Sequence, residues 1–235
     1  MKDEYVTLMA SLPALGPVLG LKRPPINRAR LSARHGLLAP EHKAELDRIT
    51  RVLAWRDWPL LATDTAFLTE ARETTARLTR PTLEQLVAER LEMRTLVAAL
   101  RRRHQGEEAP RAEVAWGTGR YLRRIRENWR EPGFGVARAF PWVLEAREKL
   151  QRGEVKGLER VLLQAAWRQA ARLGEGHAFD FEAVVLYTVR WALLERWTGL
   201  DAEAAAARFA RLKEGALAAL PHPLAPGRIE IGETV

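Results

Sequence analysis

The sequence predicts an all-α fold, a multi-helix bundle with two lobes and an extended N-terminal arm. From Asn27 onward, apolar residues recur at the three- and four-residue spacing that places them on one face of a helix. Proline and glycine separate these periodic segments, as is typical of the connections between helices. The chain of 235 residues is 47% hydrophobic and 29% charged, which is typical of a protein that buries a core.

The N-terminal region lacks the helical spacing. Residues 5–26 alternate short apolar pieces with proline and glycine, which predicts an extended arm or a single edge strand. The later segments begin and end at recognisable signals, and the capping box from Thr82 to Gln85 predicts one such start. The predicted helices cover residues 41–55, 64–79, 82–103, 118–131, 141–150, 154–173, 180–197 and 201–220.

The domain organisation follows from the breaks between these helices. We expect a single all-helical domain over residues 1–235, in which the loop at 106–116 separates a lobe of residues 27–105 from a lobe of residues 116–220. Residues 221–235 contain three prolines and predict a loose tail, although 228–231 can pair as a short strand. The acidic-leaning start and the lack of a small-residue cleavage pattern argue against a signal peptide. The prolines and glycines within residues 5–21 make that run a poor membrane-spanning helix, so a cytoplasmic protein is expected.

The residue types exclude several kinds of chemistry. The absence of cysteine excludes disulfides, thiolate nucleophiles and cysteine-ligated metal sites. The sequence has no phosphate-binding loop, no His-Glu-x-x-His helix and no serine in a nucleophile elbow, and its five histidines are dispersed. We therefore expect a protein that is not an enzyme and that holds neither a cofactor nor a metal. An enzyme whose acid and base assemble from distant helices, such as Glu89 or Glu92 with Arg94, stays an alternative.

Arginine dominates the charge. The formal net charge is +8, and all but six of the 38 basic residues are arginine. The segment 117–130 predicts an amphipathic helix with one apolar stripe, formed by Tyr121, Leu122, Ile125 and Trp129. Its other face contains Arg120, Arg123, Arg124, Arg126 and Arg130. Such a face contacts phosphates or an acidic protein surface, or it is an ordinary solvated surface in a chain that uses arginine in place of lysine.

The helix from Thr82 contains two further arginine features. Arg90 and Arg94 fall within its apolar stripe, which predicts an internal ion-pair network with Glu92. Its C-terminal turn is basic and adds further candidate partner-binding residues, Arg101, Arg102 and Arg103.

Other charges are expected to pair within the fold. Glu148 and Arg152 have the i,i+4 spacing of a helical ion pair. Arg190, Glu195 and Arg196 are predicted to be internal pairs or interface residues.

Three segments resemble an uncharacterised bacterial family that is associated with V-type (A-type) ATPases. They are Tyr-Val-Thr-Leu-Met-Ala-Ser-Leu-Pro-Ala-Leu at 5–15, Glu-Arg-Leu-Glu-Met-Arg at 89–94 leading into 100–103, and Phe-Asp-Phe-Glu-Ala-Val-Val-Leu-Tyr at 179–187 followed by 194–197 and 200–201. That family is similar in turn to the V-type ATPase C subunit, called d in eukaryotes. This chain is shorter than a typical C subunit.

The resemblance implies a function as well as a fold. The C subunit is all-helical, funnel-shaped and non-catalytic, and it connects the central rotor stalk to the membrane ring. The implied function is a structural adaptor that binds stalk or ring subunits and lies peripheral to the inner membrane through those partners. An arginine-rich helical module that binds nucleic acid is the alternative.

Overall fold

The structure, a computed structural model, describes residues 4–54 and 64–218. Within these residues it is all-helical, with nine α-helices and no strand, so the predicted fold class is confirmed. The helices are α1 (Val6–Ala10), α2 (Arg28–His35), α3 (Pro40–Leu53), α4 (Asp64–Arg77), α5 (Pro81–His104), α6 (Leu122–Glu127), α7 (Trp142–Gln151), α8 (Val155–Leu173) and α9 (Phe181–Ala218). The predicted tail at 221–235 lies outside the described residues.

The chain divides into two compact units, residues 1–198 and 199–235. The first unit has a hydrophobic core to which helices from the whole length of that unit contribute. Ile49 of α3, Leu83 of α5, Ala170 of α8 and Phe181 of α9 all belong to it, and each has no exposed surface. Residues of the two predicted lobes therefore share one core.

The N-terminal region differs from the prediction of an extended arm or edge strand. Residues 6–10 form α1 because Leu8 is buried and one helical turn brings it to the core. The Tyr5 N–H donates to the carbonyl of Phe179 at 2.7 Å, and the Tyr187 hydroxyl donates to the carbonyl of Pro13 at 2.8 Å. The region is thus held against the start of α9 by hydrogen bonds, and none of the described residues in it forms a strand.

Two helix starts are corrected by the structure. The capping box at Thr82 is wrong, since α5 begins one residue earlier at Pro81, whose fixed φ suits the first helical turn. The Thr82 hydroxyl instead lies 3.0 Å from His177 Nε2, and the Gln85 amide donates to Glu89. The predicted helices 180–197 and 201–220 are one continuous helix, α9, because a single glycine at 199 costs a helix only about 1 kcal/mol.

The arginine-rich helix predicted over 118–131 is much shorter than expected. The α6 helix covers only Leu122–Glu127, because the backbone before it is bonded to α5. Thr95 donates to the carbonyl of Thr118 and accepts from its N–H, both at 2.9 Å, and Gly119 has a φ of +102° that no helix contains. The predicted continuous arginine face is therefore wrong: its residues belong to a six-residue helix and to the turns on either side.

The α2 helix has no counterpart among the predicted helices. The remaining helices match the predicted ones to within a few residues at their described ends. None of the helices described in residues 4–54 and 64–218 combines the length and apolar character that crossing a membrane requires.

Candidate functional site: an arginine surface and a basic pocket

Arg103 is a structural residue of the fold. Its guanidinium donates hydrogen bonds to three main-chain carbonyls, those of Trp129, Glu131 and Pro132. The same group lies over the ring of buried Phe134, 4.0 Å from the ring centroid. Arg103 therefore fixes the turn that follows α6 to the C-terminal end of α5.

Three more of the predicted partner-binding arginines have partners inside the protein. Arg120 Nε lies 3.2 Å from Glu92 Oε1, and Arg123 Nε lies 2.7 Å from Glu127 Oε1. Arg102 lies over the ring of Trp116, at 6.0 Å from the centroid. These side chains are at least partly engaged within the fold, which lowers their availability to a partner.

Arg124, Arg126 and Arg130 differ from those residues. They lie on α6 and the turn after it, and Arg124 and Arg130 are exposed. Within residues 4–54 and 64–218, the structure records no ion pair for any of the three. We call this set the arginine surface. Arg101 is likewise exposed, on the last turns of α5, and has no ion pair among the described residues.

A basic pocket of about 190 Å³ lies beside Arg103. It is formed by the C-terminal turns of α5, the turn after α6 and the second half of α7, and its lining residues are Leu100, Arg103, His104, Arg130, Arg147, Leu150 and Gln151. Among residues 4–54 and 64–218, no acidic side chain lines it. Burial lowers the pKa of Arg103, and the positive charge of Arg147 lowers it further. The described part of the chain thus leaves an excess of positive charge here.

The predicted internal network of Arg90, Glu92 and Arg94 has two further partners in the structure, Arg120 and Phe67. Arg90 is 2% exposed, and burial lowers its pKa to about 10. Glu92, 6% exposed, accepts the N–H of Arg120 at 3.2 Å in addition to pairing with its guanidinium. Arg94 lies over Phe67, with its Cζ 3.2 Å from the ring centroid. Direct pairing of Glu92 with Arg90 or Arg94 stays a prediction.

Two of the three charges predicted on the long C-terminal helix pair within the protein. Arg28 pairs with Glu195, and Arg196 Nε lies 2.8 Å from Glu159 Oε1. Arg190 lies over Trp167 at 4.3 Å from the ring centroid, and its buried Nε has no hydrogen-bond partner among the described residues. The structure therefore favours internal pairs for Glu195 and Arg196.

Sequence reasoning missed a polar cluster at the start of α9. Arg80 donates to His42 Nε2 at 2.9 Å, so the imidazole proton is on Nδ1, which donates to the Tyr5 hydroxyl. Arg80 also donates to both carboxylate oxygens of Glu182, at 3.2 and 3.3 Å. His42 stacks on Phe181 with the ring centroids 4.3 Å apart. These residues are too far apart in sequence for spacing to reveal the cluster.

The same cluster contains three possible metal-ligand side chains. The ligand atoms of His177, Asp180 and Glu182 lie within 4.8 Å of one another, a set able to hold a metal ion. Each of them also bonds protein groups: His177 Nδ1 lies 2.6 Å from Asp180 Oδ2, and Asp180 Oδ1 accepts the Ala183 N–H at 2.9 Å. The i,i+3 spacing of His177 and Asp180 is the one sequence signal that points to this arrangement. Of the three residues, Asp180 caps the N-terminus of α9.

Comparison of the chain with protein-family models, with curated protein sequences and with solved structures finds no match.

Proposed function

We propose that this protein is a non-catalytic structural adaptor of a V-type ATPase that links the central stalk to the membrane sector. In this proposal it binds an acidic surface of a stalk or ring subunit through the arginine surface. The assignment to the ATPase rests on the resemblance of residues 5–15, 89–103 and 179–201 to the ATPase-associated family. The assignment of the docking residues rests on the structure of α6 and its flanking turns.

The observation that carries the docking proposal is the lack of ion pairs at Arg124, Arg126 and Arg130 among the described residues. Nearby Arg123 pairs with Glu127 on the same helix. A guanidinium that is free of an internal carboxylate presents its forked donors to the carboxylates of a partner. Several such groups close together also steer an acidic surface towards the site and raise the association rate.

Nucleic-acid binding is the second candidate and stays a prediction. The short α6 helix gives it less support than the long arginine face that the sequence predicts. A basic surface that binds phosphates without a groove-reading helix is recognised by a steep loss of affinity with salt. The same charge reversals that test the adaptor therefore also test this alternative.

The experiment is recovery of partners from the protein's own organism with the full-length tagged chain. The wild type is expected to recover ATPase stalk or ring subunits. The double variant Arg124→Glu/Arg126→Glu is expected to recover at least about tenfold less, because each reversal replaces an attraction with a repulsion. The control is Arg160→Glu/Arg168→Glu, which reverses two exposed charges of α8.

Two results would overturn this proposal. One is recovery of no ATPase subunit when the ATPase is present in the lysate. The other is an equal loss in the α6 and α8 double variants, which would mean that net charge rather than the arginine surface is recognised. Recovery of nucleic acid by the wild type in place of ATPase subunits, with a steep salt dependence, would support the alternative.

A further inference from the structure

The size of the basic pocket restricts what it can hold. Its volume is about 190 Å³. Pockets for drug-sized ligands and cofactors occupy roughly 300–1,000 Å³, so this one suits a small ion or the terminal group of a larger molecule. Leu100 and Leu150 form apolar parts of its wall, and a wall of low dielectric strengthens the field of the nearby charges.

The charge of the pocket is not balanced by the elements that form it. Three guanidinium groups line it, those of Arg103, Arg130 and Arg147. The C-terminal ends of α5 and α7 supply about −0.5 elementary charge each, which offsets only about one of the three. Glu148, which follows Arg147, is itself bound by Arg152 at 2.5 Å, the pair that the sequence predicts.

The donors of the lining residues differ in availability. The Nη1 and Nη2 groups of Arg103 donate hydrogen bonds to the carbonyls after α6, so Arg103 acts in the pocket as a fixed positive charge. Arg130 and Arg147 have no ion pair in the part of the chain that the structure describes. Two guanidinium forks with a histidine and a glutamine beside them offer the set of donors that matches the oxygens of phosphate.

We propose that the basic pocket is a binding site for one phosphate-class oxyanion, with Arg130 and Arg147 as the forked donors and Arg103 as a fixed neighbouring charge. The oxyanion is inorganic phosphate or the terminal phosphate of a nucleotide. This site goes beyond the adaptor function, because its decisive residue, Arg147, lies on α7 and outside the arginine surface. The anion balances the mutual repulsion of the guanidinium groups.

The test is a titration of the full chain with inorganic phosphate at constant ionic strength, with chloride as the compensating anion. Calorimetry and the thermal midpoint are both recorded. The wild type is expected to show saturable binding and a midpoint that rises with phosphate, since a ligand that binds only the folded state stabilises it. Arg147→Ala is expected to weaken binding at least about tenfold, the effect of losing one charge-assisted contact.

Two matched variants separate a built site from general charge attraction. Arg168→Ala removes one exposed positive charge from α8 and is expected to bind phosphate as the wild type does. Arg147→Lys keeps the charge but loses the planar fork, so weaker binding than in the wild type is expected. Circular dichroism of each variant shows that the helices are retained.

A parallel titration with ADP identifies the source of the oxyanion. Affinity equal to that of phosphate indicates that only the phosphate group is bound, and tighter binding indicates a nucleotide; both support the site. The absence of saturation at 50 mM phosphate would refute the proposal. Equal weakening in Arg147→Ala and Arg168→Ala would also refute it, whereas failure of the ATPase recovery experiment would leave these phosphate results unaffected.

Discussion

Replacement of Gly119 by alanine should destabilise the protein through one identifiable contact. A Cβ at this position would lie 2.4 Å from Glu92 Cγ, well inside van der Waals contact. The carboxylate of Glu92 would have to move away from the Arg120 N–H, to which it is hydrogen bonded at 3.2 Å. The backbone itself, with a φ of +102°, is unfavourable for any residue with a side chain.

The expected loss in the free energy of unfolding of Gly119→Ala has two parts. A non-glycine residue at such a positive φ costs roughly 1–3 kcal/mol. Loss of a hydrogen bond to a charged acceptor costs about 1.5–3 kcal/mol more. We therefore expect Gly119→Ala to lower the free energy of unfolding by about 3 kcal/mol or more, which corresponds to a midpoint roughly 6–12 °C lower for a chain of this size.

Gly106 provides the matched control. Its φ is +83°, but a Cβ there would meet no atom of the described residues within 4 Å, so Gly106→Ala tests the backbone cost alone. Urea unfolding of both variants, followed by tryptophan fluorescence, measures the difference. In a Glu92→Ala background the cost of Gly119→Ala should fall to that of Gly106→Ala, because the clash has been removed. Equal losses for the two glycine variants in the wild-type background would refute the reasoning.

Two further predictions concern partly buried polar side chains. Burial raises the Tyr187 pKa to about 12, whereas its value in the unfolded chain is about 10. Stability that is present below pH 10 is therefore lost as the pH rises through 12. Tyr187→Phe should reduce this loss, which urea unfolding as a function of pH measures. Arg103→Ala should lower the free energy of unfolding by about 2–4 kcal/mol, since three carbonyls lose a charged donor.

Each of these predictions has an outcome that would contradict it. A profile of Tyr187→Phe that is parallel to the wild type would contradict the first prediction. Arg103→Lys keeps the charge without the fork and should fall between Arg103→Ala and the wild type. A urea midpoint of Arg103→Ala equal to that of the wild type would contradict the Arg103 prediction.

The sequence was sufficient for the fold class and for most helix positions, because apolar periodicity and proline breaks are local signals. It failed where distant groups decide the local structure. Residues 118–121 have a helical pattern, but the bonds between Thr95 and Thr118 hold them in a turn. Gly199 looks like a helix end in the sequence and lies inside α9, because local propensity is weaker than the continuous helical context.

The candidate site shows the same limit. The basic turn at 101–103 is visible in the sequence, yet the role of Arg103 as a donor to three carbonyls depends on a turn about 30 residues away. Arg147 lies two positions after Glu145 and directly before Glu148, so the sequence around it suggests a surface charge that pairs with a neighbouring carboxylate. The packing of α5 beside α7 brings it to a pocket that no acidic residue of the described part of the chain lines.

The hydrogen bond from the Tyr5 N–H to the Phe179 carbonyl has a consequence for how the protein is made. A ribosome that adds about 5–20 residues per second needs roughly 9–35 s to make the chain between these two positions. Throughout that time, Tyr5 and Leu8 are without the α9 residues that cover them in the finished protein. The segment that contains Tyr5 and Leu8 therefore reaches its native place only after Phe179 has been made, and until then it is a natural substrate for chaperones.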